Sequence, residues 1–450
     1  MVHRRLYNEK IPELKKLKKF FSEEEYGGIN LWPSMAPSCY FYMQNNTMGS
    51  KIFNILRIIK FLFFVERFPI KGNGEKKIIA SFCIDRKNHH ELWESCLSSF
   101  KENEVILVDA YKPKKNKFFT IAKRFSFRFP NLLRIYSINK RLGNSGLNEV
   151  IKNKLDYTYF VTQTYFQQRK IDYLSKLVKK YLPVACVSYS PYRNNDETIL
   201  NQICKMDHIP TFAMQNYSLS EFKKFNYESI TYENFISDYF LLWGKSGYDI
   251  LKKFISEDKL IIAGNPIYGR INKISRSKFK PKICTILLGH KQYTKSNFDM
   301  MGIIKEFAKE HPEIIFRFNI HIDNDRKPYI ESVIEKNLEV LPVTSGKEQL
   351  AKLFSTSDFL VLHNTTMALE ALEYQIPIFQ YKDKKAAELD IPENKFSNLK
   401  DFKKLFEKML DAKTFQKYQK SYYDYYLRNF YQPTCSIEDY YKKQILSRIH

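Results

Sequence analysis

The segment from Asp358 to Tyr381 places several polar side chains between a predicted strand and a predicted helix. Phe359–Leu362 is an unbroken apolar run, which is typical of a parallel strand that is buried on both faces. The side chains that follow this strand are His363, Asn364, Thr365 and Thr366. Hydroxyl groups and free backbone amides at the start of a helix can hold a phosphate group beside the carboxyl end of a strand. The same residues also suit an ordinary helix cap, so the sequence leaves both interpretations open.

Polar residues also follow two other predicted strands in this half of the chain. They are Gly289, His290 and Lys291 after one strand and His321 after the next. Glycine permits a close approach of the backbone to a phosphate group, which a lysine can neutralise, although a solvated turn has the same composition. Because His321 and His363 each come just after a buried strand, both are predicted to donate a hydrogen bond to one ligand.

Alternating predicted strands and helices indicate two α/β units that position these residues. The predicted strands of the first unit are 78–84, 105–109, 133–137, 157–162, 184–189, 211–215, 240–243 and 260–263. Those of the second unit are 283–288, 314–318, 339–341, 359–362 and 377–379. The helices of the second unit are predicted at 299–309, 327–336, 347–354 and 366–374. Each unit is expected to form a doubly wound parallel sheet with helices on both faces.

The chain of 450 residues is too long for one ordinary core, so two domains are expected. We predict an N-terminal extension over 1–75, a first domain over 76–266, a basic linker over 267–282 and a second domain over 283–412. Helices over 413–450 are expected to close the chain. Their aromatic cluster between Tyr422 and Tyr431 has helical spacing, which favours packing over base stacking.

A helix is predicted at Lys51–Val65, where polar residues recur every third position along an apolar segment. These residues are Lys51, Asn54, Arg57 and Lys60. The apolar segment is too short to span a bilayer. It is expected either to pack on the first sheet as a core helix or to lie on a membrane with its basic stripe toward the lipid headgroups.

The formal charge of +24 and the pI of about 9.4 indicate an anionic partner. Nucleic acid, an acidic membrane surface and a nucleotide or polysaccharide substrate all satisfy this charge, and a lysine-rich composition bias explains part of it. The seven cysteines are scattered without a CxxC spacing, which argues against a disulfide framework or a zinc site. The first residues lack the apolar core of a signal peptide, so a cytoplasmic protein is expected.

Three segments carry a resemblance to a known family. They are FLLWGKSGYDIL with LIIAGNPIY over 240–268, IIFRFNIHI over 314–322, and HNTTMALEALEYQIPIFQY from His363. The chain resembles GT-B glycosyltransferases of the bacterial capsule and lipopolysaccharide type, and it is similar to those that use CMP-sugars. In the second segment only His321 matches the KPHP motif of that family. TFAMQNYS over 211–218 resembles its QHG loop, with Gln215 retained and Asn216 in place of the histidine.

The resemblance implies two Rossmann-like domains facing a central cleft, with the donor nucleotide on the second domain and the acceptor on the first. Asp85 and His89 follow the first strand, so one of them is the expected catalytic base; the alternative is a helix cap with surface histidines. The implied donor-site residues are Gly289, His290, Lys291, His321, His363, Asn364, Thr365, Thr366 and Glu370. Gln215 and Asn216 are implied on the acceptor side.

The expected reaction is an inverting transfer of a sugar to a growing surface glycan, with a lipid-linked or glycan acceptor. The pair of glutamates eight positions apart that many retaining members carry is absent, because Leu362 and Thr365 precede Glu370 and Glu373 by eight. No HExxH, GxGxxG or Walker motif and no DxD metal pair appears where the chemistry would need it, so neither a metal nor a cofactor is expected. A CMP-sugar is the first choice of donor and a UDP-sugar the next.

Other functions fit the same sequence. A polyol-phosphate transferase of the teichoic-acid type and a nucleotide-sugar epimerase use related two-domain folds. A basic membrane- or RNA-binding protein without catalysis is a further alternative, although no RNA-recognition motif is present and nucleic acid is not an expected partner. An anionic membrane surface is an expected partner of residues 51–67, which would place the protein on the inner face of the cytoplasmic membrane.

Overall fold

The computed structural model describes most of the chain with short gaps. The described residues are 11–45, 47–66, 70–71, 78–82, 87–101, 104–109, 125–189, 195–215, 219, 234–266, 278–322, 324–342, 347–363, 365, 367–382 and 394–449. Within this part of the chain, no helix is both long enough and apolar enough to cross a membrane.

Strands and helices alternate through both halves of the described chain. The strands are β1 Glu25–Tyr26, β2 Ile29–Asn30, β3 Phe64–Glu66, β4 Ile70–Lys71, β5 Ile78–Phe82, β6 Val105–Asp109, β7 Phe125–Phe127, β8 Ala185–Ser188, β9 Thr211–Met214, β10 Tyr239–Leu242, β11 Leu260–Ile262, β12 Ile283–Leu287, β13 Ile315–Asn319, β14 Leu338–Val340, β15 Phe359–Leu362, β16 Ile378–Tyr381 and β17 Lys395–Phe396. The helices of the first half are α1 Ile11–Glu23, α2 Trp32–Asn45, α3 Lys51–Phe63, α4 Lys87–Leu97, α5 Leu132–Asn144, α6 Leu147–Val150, α7 Lys154–Tyr181, α8 Asn195–Met206 and α9 Lys245–Leu251. Those of the second half are α10 Thr294–Glu310, α11 Lys327–Glu331, α12 Lys347–Ser355, α13 Met367–Leu372, α14 Leu399–Leu410, α15 Ala412–Asn429 and α16 Ile437–Leu446.

The second half forms a six-stranded parallel sheet in the order β14-β13-β12-β15-β16-β17. This is the Rossmann strand order, in which the chain winds first to one side of β12 and then to the other. Every residue of β15 is buried, as its unbroken apolar run predicts. The predicted second α/β unit is confirmed.

The first half forms a seven-stranded sheet in the order β11-β10-β9-β8-β5-β6-β4, in which only β4 is antiparallel to its neighbour. The order again reverses at one point, between β5 and β8, so this sheet is also doubly wound. The predicted α/β fold with two Rossmann-like domains is therefore confirmed.

Two of the predicted strands of the first half are wrong. The segment 133–137 lies inside α5, and the segment 157–162 lies inside α7. The middle of α7 is buried all round, because helices α3, α5 and α8 pack on it. A fully buried helix shows no 3.6-residue polar periodicity, so a short apolar run within it looks like a buried strand.

The C-terminal helices join the two domains. In α15, the Tyr418 and Tyr422 hydroxyls both donate to the carbonyl oxygen of Ile378 on the second sheet, each at 3.0 Å. Where α15 ends, the Tyr431 amide donates to the Trp243 carbonyl beside the first sheet at 2.8 Å. The Phe430 ring stacks on Trp243 with 6.1 Å between centroids. The aromatic residues of this segment therefore serve packing, as their spacing predicts.

Gly244 is expected to be essential to this junction. A β-carbon at this position would lie 2.4 Å from the Asn429 carbonyl oxygen. Gly244→Ala should therefore lower the free energy of unfolding by about 1–3 kcal/mol, measured by urea denaturation.

Gly302→Ala is the matched control, because a β-carbon on that exposed residue of α10 meets nothing within 4 Å. This change should raise the free energy of unfolding by about 0.5–1 kcal/mol. Equal unfolding midpoints for the two variants would contradict the predicted clash.

Candidate functional site

The carboxyl ends of β12, β13 and β15 bring four of the predicted residues together. Gly289 and His290 follow β12, which lies between the other two strands, while His321 follows β13 and His363 follows β15. The chain reverses its winding direction between β12 and β15. In doubly wound sheets the crevice at such a reversal is where ligands bind.

The His363 imidazole packs directly on the backbone of Gly289. A β-carbon at Gly289 would lie 2.6 Å from both Cε1 and Nε2 of His363, so any side chain there would displace the ring. The glycine therefore permits a close approach between the two strand ends, although the group that approaches is an imidazole of the protein itself.

Asn297, in the second turn of α10, binds both ends of this contact. Its Oδ1 accepts from the Gly289 amide at 2.8 Å, and its Nδ2 donates to the Gly289 carbonyl at 3.0 Å. His363 Nε2 lies 2.8 Å from the same Oδ1. The Tyr329 hydroxyl and the Asn324 amide extend the network, at 3.2 Å from Asn297 Nδ2 and 2.9 Å from the Gly289 carbonyl.

This network determines the hydrogen-bonding state of His363. The backbone amide and carbonyl of Gly289 fix which end of the Asn297 side chain is oxygen, so His363 Nε2 must donate to it. In the neutral imidazole, Nδ1 then carries the lone pair and can act only as an acceptor. Because His363 is 1% exposed, its Nε2 acts inside the protein and is not directed at a ligand.

His290 and His321 form the accessible part of the cluster. Their rings meet edge to face with 5.4 Å between centroids, and both residues are half-buried. Lys291 is exposed and begins the short turn that leads into α10. His290 and His321 can donate hydrogen bonds, and Lys291 carries a positive charge. All three are more exposed than His363.

Thr365 caps helix α13. Its Oγ1 accepts a hydrogen bond from the Met367 amide at 3.3 Å. This bond is of the kind expected for a helix cap, which was one of the two interpretations that the sequence left open. The hydroxyl hydrogen is not used by this bond, so a ligand role for Thr365 is compatible with it. Asn364 and Thr366 lie outside the described residues, as does the side chain of Glu370; their roles stay predictions.

The predicted residues of the first domain are only partly described. Asp85 and Asn216 lie outside the described residues, and so does the side chain of His89, although His89 belongs to α4. Gln215 is buried, and its Oε1 accepts from the Trp243 amide at 2.8 Å. The oxygen of this side chain therefore supports the carboxyl end of β10, and contact with an acceptor stays a prediction.

Sequence reasoning missed the residues that hold the cluster in place. They are Tyr293, Asn297, Asn324, Tyr329 and Gln380. Gln380 on β16 donates to the His363 carbonyl at 3.0 Å, and the Tyr293 ring meets His363 edge to face at 5.2 Å. One signal was available for Asn297, because it precedes Met300, Met301 and Ile304 on the apolar face of α10, where a polar residue needs an internal partner.

No group of three or more histidine, cysteine, aspartate or glutamate side chains among the described residues is arranged to hold a metal ion. The imidazoles of His290 and His321 can donate hydrogen bonds to an anion.

Comparison with solved structures shows which two-domain fold this is. No protein-family model matches the sequence, and no curated protein matches it in a sequence search. A putative UDP-N-acetylglucosamine 2-epimerase from Listeria monocytogenes superposes with a TM-score of 0.52 at 9% identity, covering 84% of this chain and 96% of that chain. The UDP-GlcNAc 2-epimerase from Methanocaldococcus jannaschii has a TM-score of 0.50 at 12% identity, covering 83% and 99%.

The S. aureus MnaA–UDP co-structure has a TM-score of 0.50 at 11% identity, with 83% of this chain and 99% of that chain covered. At such identities the likeness concerns the fold alone. The chain has the GT-B fold. The resemblance to GT-B proteins is confirmed at this level, whereas the comparisons lend no support to the narrower CMP-sugar and capsule type.

The Asn297 side chain is expected to be a principal support of the cluster. Asn297→Ala leaves the buried amide and carbonyl of Gly289 without this partner, so the free energy of unfolding should fall by about 1–3 kcal/mol, measured by urea denaturation. Because His363 loses its acceptor, its side-chain ¹⁵N signals in a histidine-labelled sample should shift as well.

Asn337→Ala is the matched control. Its Nδ2 donates to the carbonyls of Ala308, His311 and Ile314 at the opposite end of α10. It should lower stability by a similar amount and leave the His363 signals in place. Unchanged His363 signals in Asn297→Ala would contradict the assigned hydrogen bond.

Proposed function

We propose that the carboxyl edge of the second sheet binds a nucleotide sugar and that the protein is an inverting GT-B glycosyltransferase acting on a surface glycan. The observation that carries this proposal is the position of His290 and His321, which meet at the ends of adjacent strands beside the point where the sheet reverses. Half-buried imidazoles with a lysine at the rim are suited to the phosphate groups of a nucleotide.

In the proposed reaction the nucleotide departs with negative charge. His290, His321 and Lys291 would donate to its phosphate oxygens, while His363 holds the Gly289 turn in position from below. On the opposite domain, Asp85 or His89 would remove the proton from the acceptor hydroxyl as the bond to the sugar forms on the face opposite the departing nucleotide. Both residues follow β5, at the point where the first sheet reverses its winding.

UDP is the proposed nucleotide ahead of CMP. The expectation of a CMP-sugar depended on a motif in which only His321 matches. The solved structures of comparable fold include a co-structure with UDP, which supports UDP without excluding CMP.

A nucleotide-sugar epimerase is the second candidate. It is favoured by the likeness in fold to two structures above, the putative UDP-N-acetylglucosamine 2-epimerase from Listeria monocytogenes and the UDP-GlcNAc 2-epimerase from Methanocaldococcus jannaschii, and by the coverage of those chains, at 96% and 99% respectively. A polyol-phosphate transferase has no such support from these comparisons.

Nucleotide binding is tested first by thermal stabilisation, since a ligand that binds only the folded state raises the melting temperature. UDP is expected to give the largest rise among UDP, CMP, CDP and GDP. His321→Ala should weaken binding roughly 10- to 100-fold, because a hydrogen bond to a charged group contributes about 1.5–3 kcal/mol.

His208→Asn is the control for this measurement. His208 is an exposed residue of the first domain with a positive φ of 55°, which asparagine tolerates. The control should retain the full stabilisation. The proposed site is wrong if no nucleotide raises the melting temperature of the parent protein. It is also wrong if UDP raises the melting temperature of His321→Ala and of His208→Asn as much as that of the parent.

The reaction is tested by incubating the protein with UDP-GlcNAc, with and without a surface-glycan acceptor, and following the products by NMR. Transfer releases free UDP stoichiometrically with a glycosylated acceptor, whereas epimerisation leaves a UDP-sugar of inverted configuration at the sugar C2. Asp85→Ala and His89→Ala are each measured against the parent, and the one that removes the base should lower kcat roughly 100- to 10,000-fold. Epimer formation without transfer would replace the first proposal by the second candidate.

A further inference from the structure

Helix α3 packs on α7 with part of its polar stripe turned toward the protein. Asn54, a member of the polar stripe, is 1% exposed and points into the protein, where its Nδ2 donates to Asp156 Oδ1 at 2.9 Å. The Met48 amide donates to the same oxygen at 3.2 Å. Burial raises the pKa of the Asp156 carboxyl, and these two donors offset part of the rise.

The next two members of the stripe also turn toward the protein. Arg57 donates to the Met48 carbonyl at 3.1 Å, and its guanidinium lies 6.0 Å from the ring centre of Tyr159 on α7. The Lys60 ammonium lies 5.6 Å from the ring centre of Phe166, also on α7. Asn54 of the stripe therefore faces α7, and Arg57 and Lys60 lie beside aromatic rings of that helix, while Lys51 is exposed. Contact of the basic residues of the stripe with lipid headgroups stays a prediction.

The outward face of α3 is consequently apolar. The exposed fractions are 72% for Ile52, 63% for Phe53, 47% for Ile55, 57% for Leu56 and 44% for Ile59. Five large apolar side chains exposed on one short helix are unusual for a protein surface that meets only water, and such patches mark interaction sites.

A second segment extends this apolar face. Strand β3 follows α3 directly and pairs with β7, and the Phe63 ring stacks on Phe127 with 5.7 Å between centroids. Phe127 in turn meets Phe129 at 5.4 Å. The exposed apolar side chains of this second segment are Phe127, Phe129, Leu132, Leu133 and Tyr136. Together with the outward face of α3 they form what we call the apolar surface.

The charged residues within the two segments that form the apolar surface are all basic. Segments 51–64 and 125–144 contain no aspartate or glutamate, and their basic residues are Lys51, Arg57, Lys60, Arg128, Arg134, Lys140 and Arg141. Arg134 and Arg141 pair with Asp172 and Glu24 of other segments, whereas Lys51, Arg128 and Lys140 are exposed.

We propose that the apolar surface docks on an anionic lipid bilayer, with α3 lying in the plane of the membrane. Its 13 residues span about 20 Å, which suits a helix lying in the interface with apolar side chains between the headgroups. The exposed Lys51, Arg128 and Lys140 then meet the lipid phosphates.

The charge pattern favours a bilayer over a second copy of this chain. Two copies that met through the apolar surface would bring their basic residues together without any carboxylate from these segments to pair with them. An anionic bilayer instead supplies both an apolar phase and the opposite charge. The inference does not depend on the proposed reaction, because no residue of the carboxyl-edge cluster belongs to the apolar surface.

The test is co-sedimentation of the full chain with phosphatidylcholine vesicles, prepared with and without phosphatidylglycerol. The parent protein is expected to bind the vesicles that contain phosphatidylglycerol and to be released by salt. The double variant Phe53→Ser with Leu56→Ser should bind at least about 10-fold more weakly, because two inserted side chains are removed. Lys51→Glu with Arg128→Glu should remove the preference for the anionic lipid.

Ile330→Ser with Ile334→Ser is the matched control, because these residues are 50% and 82% exposed on the other domain. It should bind vesicles like the parent. All variants should keep the parent melting temperature and UDP response, since the altered side chains lie on the surface. Equal vesicle binding by the parent and the Phe53→Ser, Leu56→Ser variant would overturn the proposal. The proposal would also be overturned if the parent binds no vesicles and light scattering shows that the parent forms a dimer which the Phe53→Ser, Leu56→Ser variant does not form.

Discussion

The carboxyl ends of β12 and β15 approach so closely at Gly289 that no side chain fits between the backbone and the His363 ring. This contact lies where the second sheet reverses its winding direction, and one amide, that of Asn297, binds both sides of it. Because Gln380 binds the His363 carbonyl from β16, adjacent strand ends are held in one geometry. The half-buried His290 and His321 owe their positions to this buried support.

The C-terminal helices impose a second constraint, on how the two domains sit together. Helix α15 is bound to β16 by two tyrosine hydroxyls, and the residues at its end are bound to the first domain at Trp243 and Gly244. The chain then continues into α16, whose Tyr441 hydroxyl donates to the Gly264 carbonyl at 2.8 Å. The segment from the end of α15 to α16 thus contacts the ends of β10 and β11. A ligand held between the domains would therefore contact two domains that α15 and this segment join.

The N-terminal helices pack on α7 and determine which side chains the first domain exposes on this face. Buried Asp156 accepts hydrogen bonds from two neutral donors, the Met48 amide and Asn54 Nδ2. These bonds orient α3 with Asn54 turned inward, so the large apolar side chains on the other side of the helix face outward. One buried carboxylate therefore helps to set the packing of α3 and the part of the apolar surface that α3 contributes.

The sequence by itself determined the two α/β units, five of the six strands of the second sheet and the positions of the polar residues after β12, β13 and β15, because buried parallel strands are short apolar runs that end in polar turns. The two-residue edge strand β17 was not predicted. Only the tertiary structure decided that 133–137 and 157–162 are helical, since burial on all sides removes the periodicity that distinguishes a helix from a strand. It also decided that His363 supports the site from within and that Asn54 of the polar stripe of α3 faces α7. The direction in which a side chain points depends on partners distant in sequence, such as Asn297 for His363 and Asp156 for Asn54, and local residue patterns carry no record of those partners.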